Sequence, residues 1–418
     1  MRRIEKEVTE VLTKNNEQMK RLIFTLFFAL VMSGVTLAQL TGVKTIPGDY
    51  ANVESAIIAL NTLGVGTGGV TFEVATGHTE TFTTRTAGLI TTSGSAASPI
   101  VFQKSGVGSN PVITGCPTAA TATDYIIALR GTDYITFDGI DVKEPTGVVE
   151  WGYAVMKDST MNGAQYVTIR NCAITLKSSN TATIGIYSAN VTPTNPGSQL
   201  SVDAPNGTNS YNKYYSNTIS GCYQGIVVDG FNDPNLPYAY YDQSNEIGKD
   251  GGNTIQGFGG STVASNGIKT SYQDRLYISN NIISGNINGN GASYGIQLGT
   301  AKNANVTITN NTVSITRPDA TTAAFTGIYG NMGTSFANNT VSIFGNSVSN
   351  CSSPKATTGA VRYMDIGISS YVYNIYQNTI QNNSVGSATA TATGEIIGIR
   401  MSGSIPTDIV APNVYIYS

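Results

Sequence analysis

The stretch "NVTITNNTVSI", residues 305–315, decides the fold. Apolar residues alternate with polar ones on both sides of Asn310-Asn311. Alternation of period two is typical of a β-strand with one buried face. Asparagine tolerates the left-handed backbone conformation of a bend, so it interrupts the strand at this point. The stretch therefore predicts two short strands joined by a sharp corner.

The same pattern recurs along the chain. An apolar or aromatic residue is followed five positions later by isoleucine or valine, in the pairs Ile169/Ile174, Tyr214/Ile219, Ile278/Ile283, Ile308/Val313, Phe336/Val341 and Ile375/Ile380. Asparagine stands three positions after the first member at Asn217, Asn281, Asn311, Asn339 and Asn378, and Cys172 takes that place once. Recurrence predicts that equivalent corners stack on one another and form an asparagine ladder.

A second unit, glycine followed by isoleucine in a short apolar strand, alternates with the first. It recurs at Gly185-Ile186, Gly225-Ile226, Gly267-Ile268, Gly295-Ile296, Gly327-Ile328, Gly367-Ile368 and Gly398-Ile399. Two or three short strands in a repeat of about 30 residues make one turn of a parallel β-solenoid. The alternative is a β-sandwich or propeller, whose hairpins favour two-residue Asn-Gly or Asp-Gly turns.

The segment before the repeats has a different pattern. Val53, Ala56, Ile57 and Leu60 recur at the spacing of an amphipathic helix. Such a helix would cover the first coil, which otherwise exposes an unpaired strand edge. We therefore expect a leader over 1–38, a cap with the first coils over 39–115, and solenoid coils over 116–418. The chain ends "NVYIYS", the start of another strand, so we expect more coils or an anchoring domain to follow.

Residues 19–39, "MKRLIFTLFFALVMSGVTLAQ", predict a secretory signal. Two basic residues precede an apolar run over 22–32 that is too short to span a bilayer comfortably. We expect cleavage after Ala38, a secreted or cell-surface location, and no transmembrane segment in the mature chain. The alternative is a buried core helix. Residues 1–18 are either a misplaced start or an extended leader.

Composition limits the partners and the redox chemistry. Only 12% of the 418 residues are charged and the net charge is −3, which excludes a nucleic-acid partner. The four cysteines, Cys116, Cys172, Cys222 and Cys351, permit disulfides in an exported chain, and buried free thiols are the alternative. A single histidine, His78, argues against a His/Cys zinc site.

Taken together, these features resemble the right-handed parallel β-helix proteins of the pectin-lyase-like superfamily. The resemblance covers residues 43–418 and rests on the N-terminal helix, "TFEVATGHTE", "YITFDGIDV" and the Asn and Gly-Ile units. It implies an all-β, right-handed parallel β-helix with a short N-terminal capping helix. The leader and the Thr/Asn/Gly-rich coils are also similar to bacterial cell-surface proteins. Many superfamily members cleave acidic polysaccharides.

The catalytic motifs of those enzymes are missing from this sequence. Gly77-His78-Thr79-Glu80 stands where pectin-esterase-like members have a Gly-Tyr-x-Glu turn, but their later motifs have no counterpart. The polygalacturonase motifs are also absent. The basic residues are scattered along the chain, at Arg170, Lys213, Lys269 and Arg275. This favours a structural, adhesive or glycan-binding surface protein. The alternative is a polysaccharide lyase or glycoside hydrolase, which a groove of Lys, Arg and Asp on adjacent coils would favour.

The predicted ligand site is the polar insertion over residues 229–252. Its tyrosines and carboxylates are groups that stack on sugars and hydrogen-bond to them; the candidates are Tyr238, Tyr240, Tyr241, Asp233 and Asp242. The alternative is a solvated loop whose aromatic rings cover the side of the solenoid. Asp138 and Asp141 alone would under-coordinate calcium. We expect no cofactor, and calcium has no motif to support it.

Overall fold

The computed structural model describes residues 1–31, 38–118, 124–333, 339–355, 357–367, 372–386, 393–402 and 413–417, with backbone alone at 8, 9, 11, 22–31 and 413–417. The chain divides into two compact units, Met1–Gln39 and Leu40–Ser418. The first contains the helix Arg2–Val31. None of the described helices combines the length and apolarity needed to cross a membrane. The side chains of the predicted signal over 22–32 lie outside the described residues, so the signal stays a prediction.

The second unit is a parallel β-helix, as expected, whose stacked coils form three parallel sheets. Sheet A contains Leu40–Ile46, Val65–Ala75, Ile100–Ser105, Ile135–Asp138, Thr168–Arg170, Lys213–Tyr215, Glu246–Ile247, Leu276–Ser279, Val306–Thr309, Thr340–Phe344, Val372–Tyr376 and Asn413–Tyr417. Sheet B contains Thr79–Thr81, Val112–Thr114, Asp141–Lys143, Ala173–Thr175, Thr218–Ser220, Thr254–Gln256, Ile282–Asn286, Thr312–Thr316, Ser347–Ser349 and Thr379–Gln381, with a branch at Ser352–Ser353 and Ser384–Val385.

Sheet C completes each coil. It contains Leu89–Ile90, Tyr125–Arg130, Trp151–Met156, Ile184–Ala189, Gln224–Asp229, Ser265–Ser271, Ser293–Ala301, Phe325–Met332, Val361–Gly367 and Ile396–Ser402. A small pair, Asp242–Gln243 with Gln273–Asp274, and a short 3-10 helix at Pro205–Gly207 lie outside the three sheets. Each regular coil runs from sheet A through sheet B to sheet C.

The core consists of columns of equivalent side chains. One column in sheet A runs through Phe72, Phe102, Phe137, Ile169, Tyr214, Ile247, Ile278, Ile308, Ile343 and Ile375. Each member is at most 2% exposed. Burying one such side chain contributes roughly 1.5–3 kcal/mol, so the columns supply much of the stability.

The predicted capping helix spans Val53–Leu63 and buries all four of its predicted apolar residues. Asn52 caps its first turn. The Glu80 carboxylate also accepts hydrogen bonds from the backbone nitrogens of Val53 and Glu54, at 2.7 and 3.1 Å. His78 Nε2 lies 2.8 Å from Glu80 Oε2. The predicted turn at 77–80 therefore holds the cap on the first coil.

The asparagine ladder is present. The Cys172 backbone nitrogen donates to the side-chain oxygen of Asn217. From there on, each asparagine donates from its backbone and side-chain nitrogens to the side-chain oxygen of the next; the column is Cys172, Asn217, Asn253, Asn281, Asn311, Asn346 and Asn378. Members are 28 to 36 residues apart from Asn217 onward. Cys172 begins the ladder, at the position predicted for it.

One predicted ladder member is wrong. "NNTVSI" occurs at both 310–315 and 338–343, but the second copy supplies Val341 and Ile343 to sheet A, paired with Val306 and Ile308. The ladder residue of that coil is therefore Asn346 and not Asn339. Period-two alternation marks a strand without saying which sheet it joins, so identical hexapeptides occupy different sheets. Phe336, the predicted partner of Val341, lies outside the described residues.

The Gly-Ile unit is also confirmed except at one site. At Gly295 glycine is favoured because a Cβ would come within 2.5 Å of the Gly327 carbonyl oxygen on the next coil. At 367–368 the assignment is wrong, since Met364 occupies the isoleucine position, paired with Ile328 and Ile399. Gly367 instead ends its strand, and Ile368 lies outside the described residues.

The four cysteines are free and buried. Burial raises the pKa of the Cys172 and Cys222 thiols to about 12 and that of Cys351 to about 11. These thiols stay protonated at neutral pH, which agrees with the alternative of buried, unreactive thiols.

Candidate functional site

The predicted ligand loop packs against the solenoid. Tyr241 is fully buried, and its hydroxyl accepts a hydrogen bond from the Lys302 backbone nitrogen at 3.1 Å. Asp242 is also fully buried and accepts a hydrogen bond from the Asn209 backbone nitrogen at 2.8 Å, with Lys157 Nζ 3.8 Å away. Burial raises the pKa of Asp242 and lowers that of Lys157. Both predicted ligand residues are therefore engaged in interior contacts.

Two more of the predicted residues hold the loop in shape. Asp233 is 3% exposed and accepts hydrogen bonds from the backbone nitrogens of Asn235 and Tyr240. Tyr238 is 8% exposed and stacks on Tyr241, with ring centroids 5.8 Å apart. Tyr240 keeps a half-exposed side chain. The structure thus places four of the five candidates inside the loop, as the covering-loop alternative describes.

A second surface, which includes Glu246 and Lys249 from the end of the predicted insertion, gathers charged side chains from successive coils. We call it the charged face; it is the outer side of sheet A with its adjoining corners, and comprises Asp138, Arg170, Lys213, Tyr215, Glu246, Lys249, Arg275 and Tyr277. The parallel register places Arg170 beside Tyr215, and Lys213 beside Glu246. Neighbouring strands are about 4.8 Å apart, so these side chains are within reach of one ligand.

The first half of the charged face centres on Lys213. Arg170 donates to Asp138, with a closest nitrogen–oxygen distance of 2.8 Å, and Asn171 Nδ2 donates to the same carboxylate at 2.6 Å. Lys213 is exposed, and it forms no ion pair within the described part of the chain. An open concavity of about 400 Å³ is lined by Arg170, Lys213 and Tyr215. This region offers a cation free to bind an anionic group.

The second half centres on Glu246. The Tyr215 hydroxyl donates a hydrogen bond to Glu246 Oε2, and Lys249 Nζ donates to Oε1 at 2.5 Å. This bond to Glu246 raises the pKa of Lys249. The Lys249 ammonium lies 4.4 Å from the centroid of the Tyr277 ring. Tyr277 is 37% exposed and lines, with Arg275, an adjoining concavity of about 390 Å³.

The prediction that the basic residues are scattered is therefore wrong for three of the four. Arg170, Lys213 and Arg275 share the charged face, whereas Lys269 belongs to a strand of sheet C. One coil contains about 30 to 45 residues, so residues separated by that distance in the sequence lie on neighbouring strands of a sheet. For two residues of the charged face the sequence carried a signal, because Lys213 and Tyr277 each precede their ladder asparagine by four residues. The predicted insertion over 229–252 also contributes to this face, because it contains Glu246 and Lys249, and its Gln243 accepts a hydrogen bond from Arg275.

Asp138 and Asp141 do not act on a common partner. Asp138 is engaged with Arg170 and Asn171 as described, and Asp141 Oδ1 accepts hydrogen bonds from Asn110 Nδ2 and the Ala173 backbone nitrogen, at 2.7 Å each. Both carboxylates join neighbouring coils.

Comparison with known proteins gives similarities to solved structures only. No protein-family model and no curated protein matches the chain. An alginate lyase from Paenibacillus sp. str. FPU-7 is 15% identical over 84% of this chain and 97% of its own, with a TM-score of 0.41. The GH136 lacto-N-biosidase from Eubacterium ramulus is 12% identical over 82% of this chain and 64% of its own, with a TM-score of 0.45.

A third similar structure is a mannuronic acid specific polysaccharide family 6 lyase from human gut microbiota. It is 11% identical over 88% of this chain and 91% of its own, with a TM-score of 0.30. Identities and TM-scores this low carry no argument about activity. The candidate site therefore rests on the geometry of the charged face.

Proposed function

We propose that this protein is a secreted or cell-surface β-helix that binds a carboxylate-bearing polysaccharide on its charged face. The observation that supports the proposal is the exposed Lys213, which lies beside Glu246 on the strand next to that of Arg170, with the Tyr277 ring on the other side of Glu246. Cations attract the carboxylates and an exposed ring stacks on a sugar. The half-exposed Tyr240 in the flanking loop is a further proposed contact.

The variant Lys213→Ala/Tyr277→Ala is expected to bind alginate or polygalacturonate roughly ten-fold more weakly. This estimate combines about 0.2–1 kcal/mol for an exposed cation and about 0.5–1.5 kcal/mol for the ring contact. Affinity electrophoresis or calorimetry with each polysaccharide, with and without calcium, measures the change. Added salt should weaken the binding of the unmodified protein as well.

Lys269→Ala is the matched control, because Lys269 is a half-buried lysine on sheet C. It should bind like the unmodified protein. Equal losses in Lys269→Ala and in the double variant would contradict the assignment of the charged face. Stronger binding to a neutral polysaccharide than to alginate or polygalacturonate would contradict the proposal of a carboxylate-bearing ligand.

The second candidate function is a polysaccharide lyase, which the adjacency of Arg170, Lys213 and Tyr215 favours. Elimination needs a cation to hold the uronate carboxylate and a base to take the neighbouring proton. Arg170 and Lys213 supply cations, and Tyr215 supplies a hydroxyl already bonded to a carboxylate. Release of unsaturated, ultraviolet-absorbing products that is lost in Tyr215→Phe, with binding retained, would establish cleavage. Intact polysaccharide after prolonged incubation would rule it out.

The proposed location depends on the leader. We predict that secreted material starts at Gln39, because a signal peptidase would cut after the small residue Ala38. N-terminal sequencing of protein collected outside the cells measures this. Material that retains Met19 in a membrane fraction would contradict the prediction.

A further inference from the structure

A lysine and an aspartate face each other in the interior of the solenoid. Lys157 follows the sheet C strand Trp151–Met156, and Asp242 begins the small strand Asp242–Gln243, 85 positions later. Both side chains are fully buried, and Lys157 Nζ lies 3.8 Å from Asp242 Oδ1. Because this distance exceeds that of a hydrogen bond, the two groups recover little of the hydration that a buried pair of charges loses. The interior therefore favours a state of the pair that carries no charge.

Both groups are shifted toward their uncharged forms. Burial lowers the pKa of Lys157 and raises that of Asp242, although the charge of each group acts against the shift of the other. An uncharged amine is a nucleophile, because its nitrogen has a free electron pair. A protonated carboxyl group is attacked at its carbon atom far more readily than a carboxylate. The environment thus favours the two forms that react to give an amide.

The surrounding hydrogen bonds hold the two groups in position. Lys157 Nζ donates to the Gly207 carbonyl oxygen at 2.5 Å, which leaves the electron pair of a neutral amine free for Asp242. The Asn209 backbone nitrogen donates to Asp242 Oδ1 at 2.8 Å, so it would stabilise negative charge on that oxygen during an attack on the carboxyl carbon. Gln273 Nε2 lies 3.4 Å from the other oxygen, Oδ2. Fixed positions raise the effective concentration of the two reacting groups.

We propose that Lys157 and Asp242 form an intramolecular amide bond after the chain folds. The Lys157 nitrogen attacks the Asp242 carboxyl carbon, a carbon–nitrogen bond forms, and the bond from that carbon to Oδ2 breaks. The hydroxyl at Oδ2 leaves with one proton of the amine as water, so the step needs no oxidant or reductant. The amide carries no charge, and it joins the end of a sheet C strand covalently to the insertion over 229–252.

The surface pair of Lys249 and Glu246 shows why burial decides the outcome. Its nitrogen–oxygen distance is 2.5 Å, shorter than that of the buried pair, but the Lys249 side chain is 40% exposed. The hydrogen bond to Glu246 raises the pKa of Lys249, so the amine stays protonated and has no free electron pair. We therefore expect this pair to remain an ion pair.

Tryptic peptide mapping of the full chain by mass spectrometry tests the bond. Trypsin does not cleave after a lysine whose amine is part of an amide. We expect one branched peptide that joins residues 144–170 to residues 214–249 and is lighter than their sum by one water molecule. The variant Lys157→Met/Asp242→Asn removes both charges and keeps an oxygen that accepts from Asn209, so it should fold and give two separate peptides.

Lys249→Arg is the matched control, because arginine keeps a trypsin site at the surface pair and does not form an amide there. It should give the same branched peptide as the unmodified protein. Complete cleavage after Lys157 in the unmodified protein, or a branch that disappears in Lys249→Arg or persists in the double variant, would overturn the inference. Loss of water without a branch would also overturn it, since it would indicate a cyclic imide at a single residue.

Discussion

Replacing Ile308 with aspartate is expected to unfold several coils at once. Ile308 is fully buried and pairs with Ile278 on one side and Ile343 on the other. The substitution loses roughly 1.5–3 kcal/mol of isoleucine burial and adds the cost of a buried, unpaired carboxylate, which is several kcal/mol. Solenoid coils are stabilised by their neighbours, so the damage spreads along the axis. The shift in urea midpoint, followed by circular dichroism, measures it.

Thr307→Asp is the matched control one residue away. Thr307 is half-exposed on the outer side of sheet A, so its carboxylate stays in water. We expect a change within about 0.5 kcal/mol, as for other surface substitutions. Equal destabilisation by the two aspartates would show that the inward and outward sides of this strand are wrongly assigned.

Asn311→Ala is expected to cost about 2–6 kcal/mol of stability. The Asn311 side chain donates to the Ile278 carbonyl oxygen at 2.8 Å and accepts from the Asn281 backbone nitrogen at 3.0 Å. Alanine leaves both buried backbone groups unpaired, at about 1–3 kcal/mol each. The free energy of unfolding, measured by denaturant titration, checks the value.

The adjacent Asn310 provides the control, because it supplies the left-handed backbone conformation of the corner, whereas Asn311 supplies the ladder hydrogen bonds. It is exposed and has a φ of 55°, in the left-handed region. Asn310→Gly keeps that conformation accessible, so stability should hardly change. Asn310→Ala should cost roughly 1–2 kcal/mol from backbone strain alone. A larger decrease in the free energy of unfolding for Asn310→Gly than for Asn311→Ala would show that the ladder hydrogen bonds are not what stabilises the corner.

The repeat made the fold predictable because each coil solves the same packing problem. The capping helix was found from four apolar residues, and all four are buried as predicted. The ladder was found from asparagines at a fixed distance from apolar residues. The prediction failed where the local pattern was ambiguous. Asn253 was missed, and Asn339 was taken for Asn346, since loops of variable length change the spacing between coils.

Far less of the candidate site than of the fold could be predicted from the sequence. The loop over 229–252 has the composition of a binding site, but composition does not report burial, and Tyr241 and Asp242 turned out to be fully buried. Conversely, Arg170 and Lys213 are 43 positions apart in the chain and unremarkable there. Only the strand register puts them on neighbouring strands of the charged face.

By itself, the sequence determined the architecture, since inward alternation, corner asparagines and close-packed glycines follow from local geometry repeated at each coil. The tertiary structure alone decided which outward residues meet. Outward side chains differ from coil to coil in chemistry, and the loops between coils differ in length, so no repeated residue type marks which of them are neighbours. Register therefore made one charged surface on sheet A from side chains that are far apart in the linear chain.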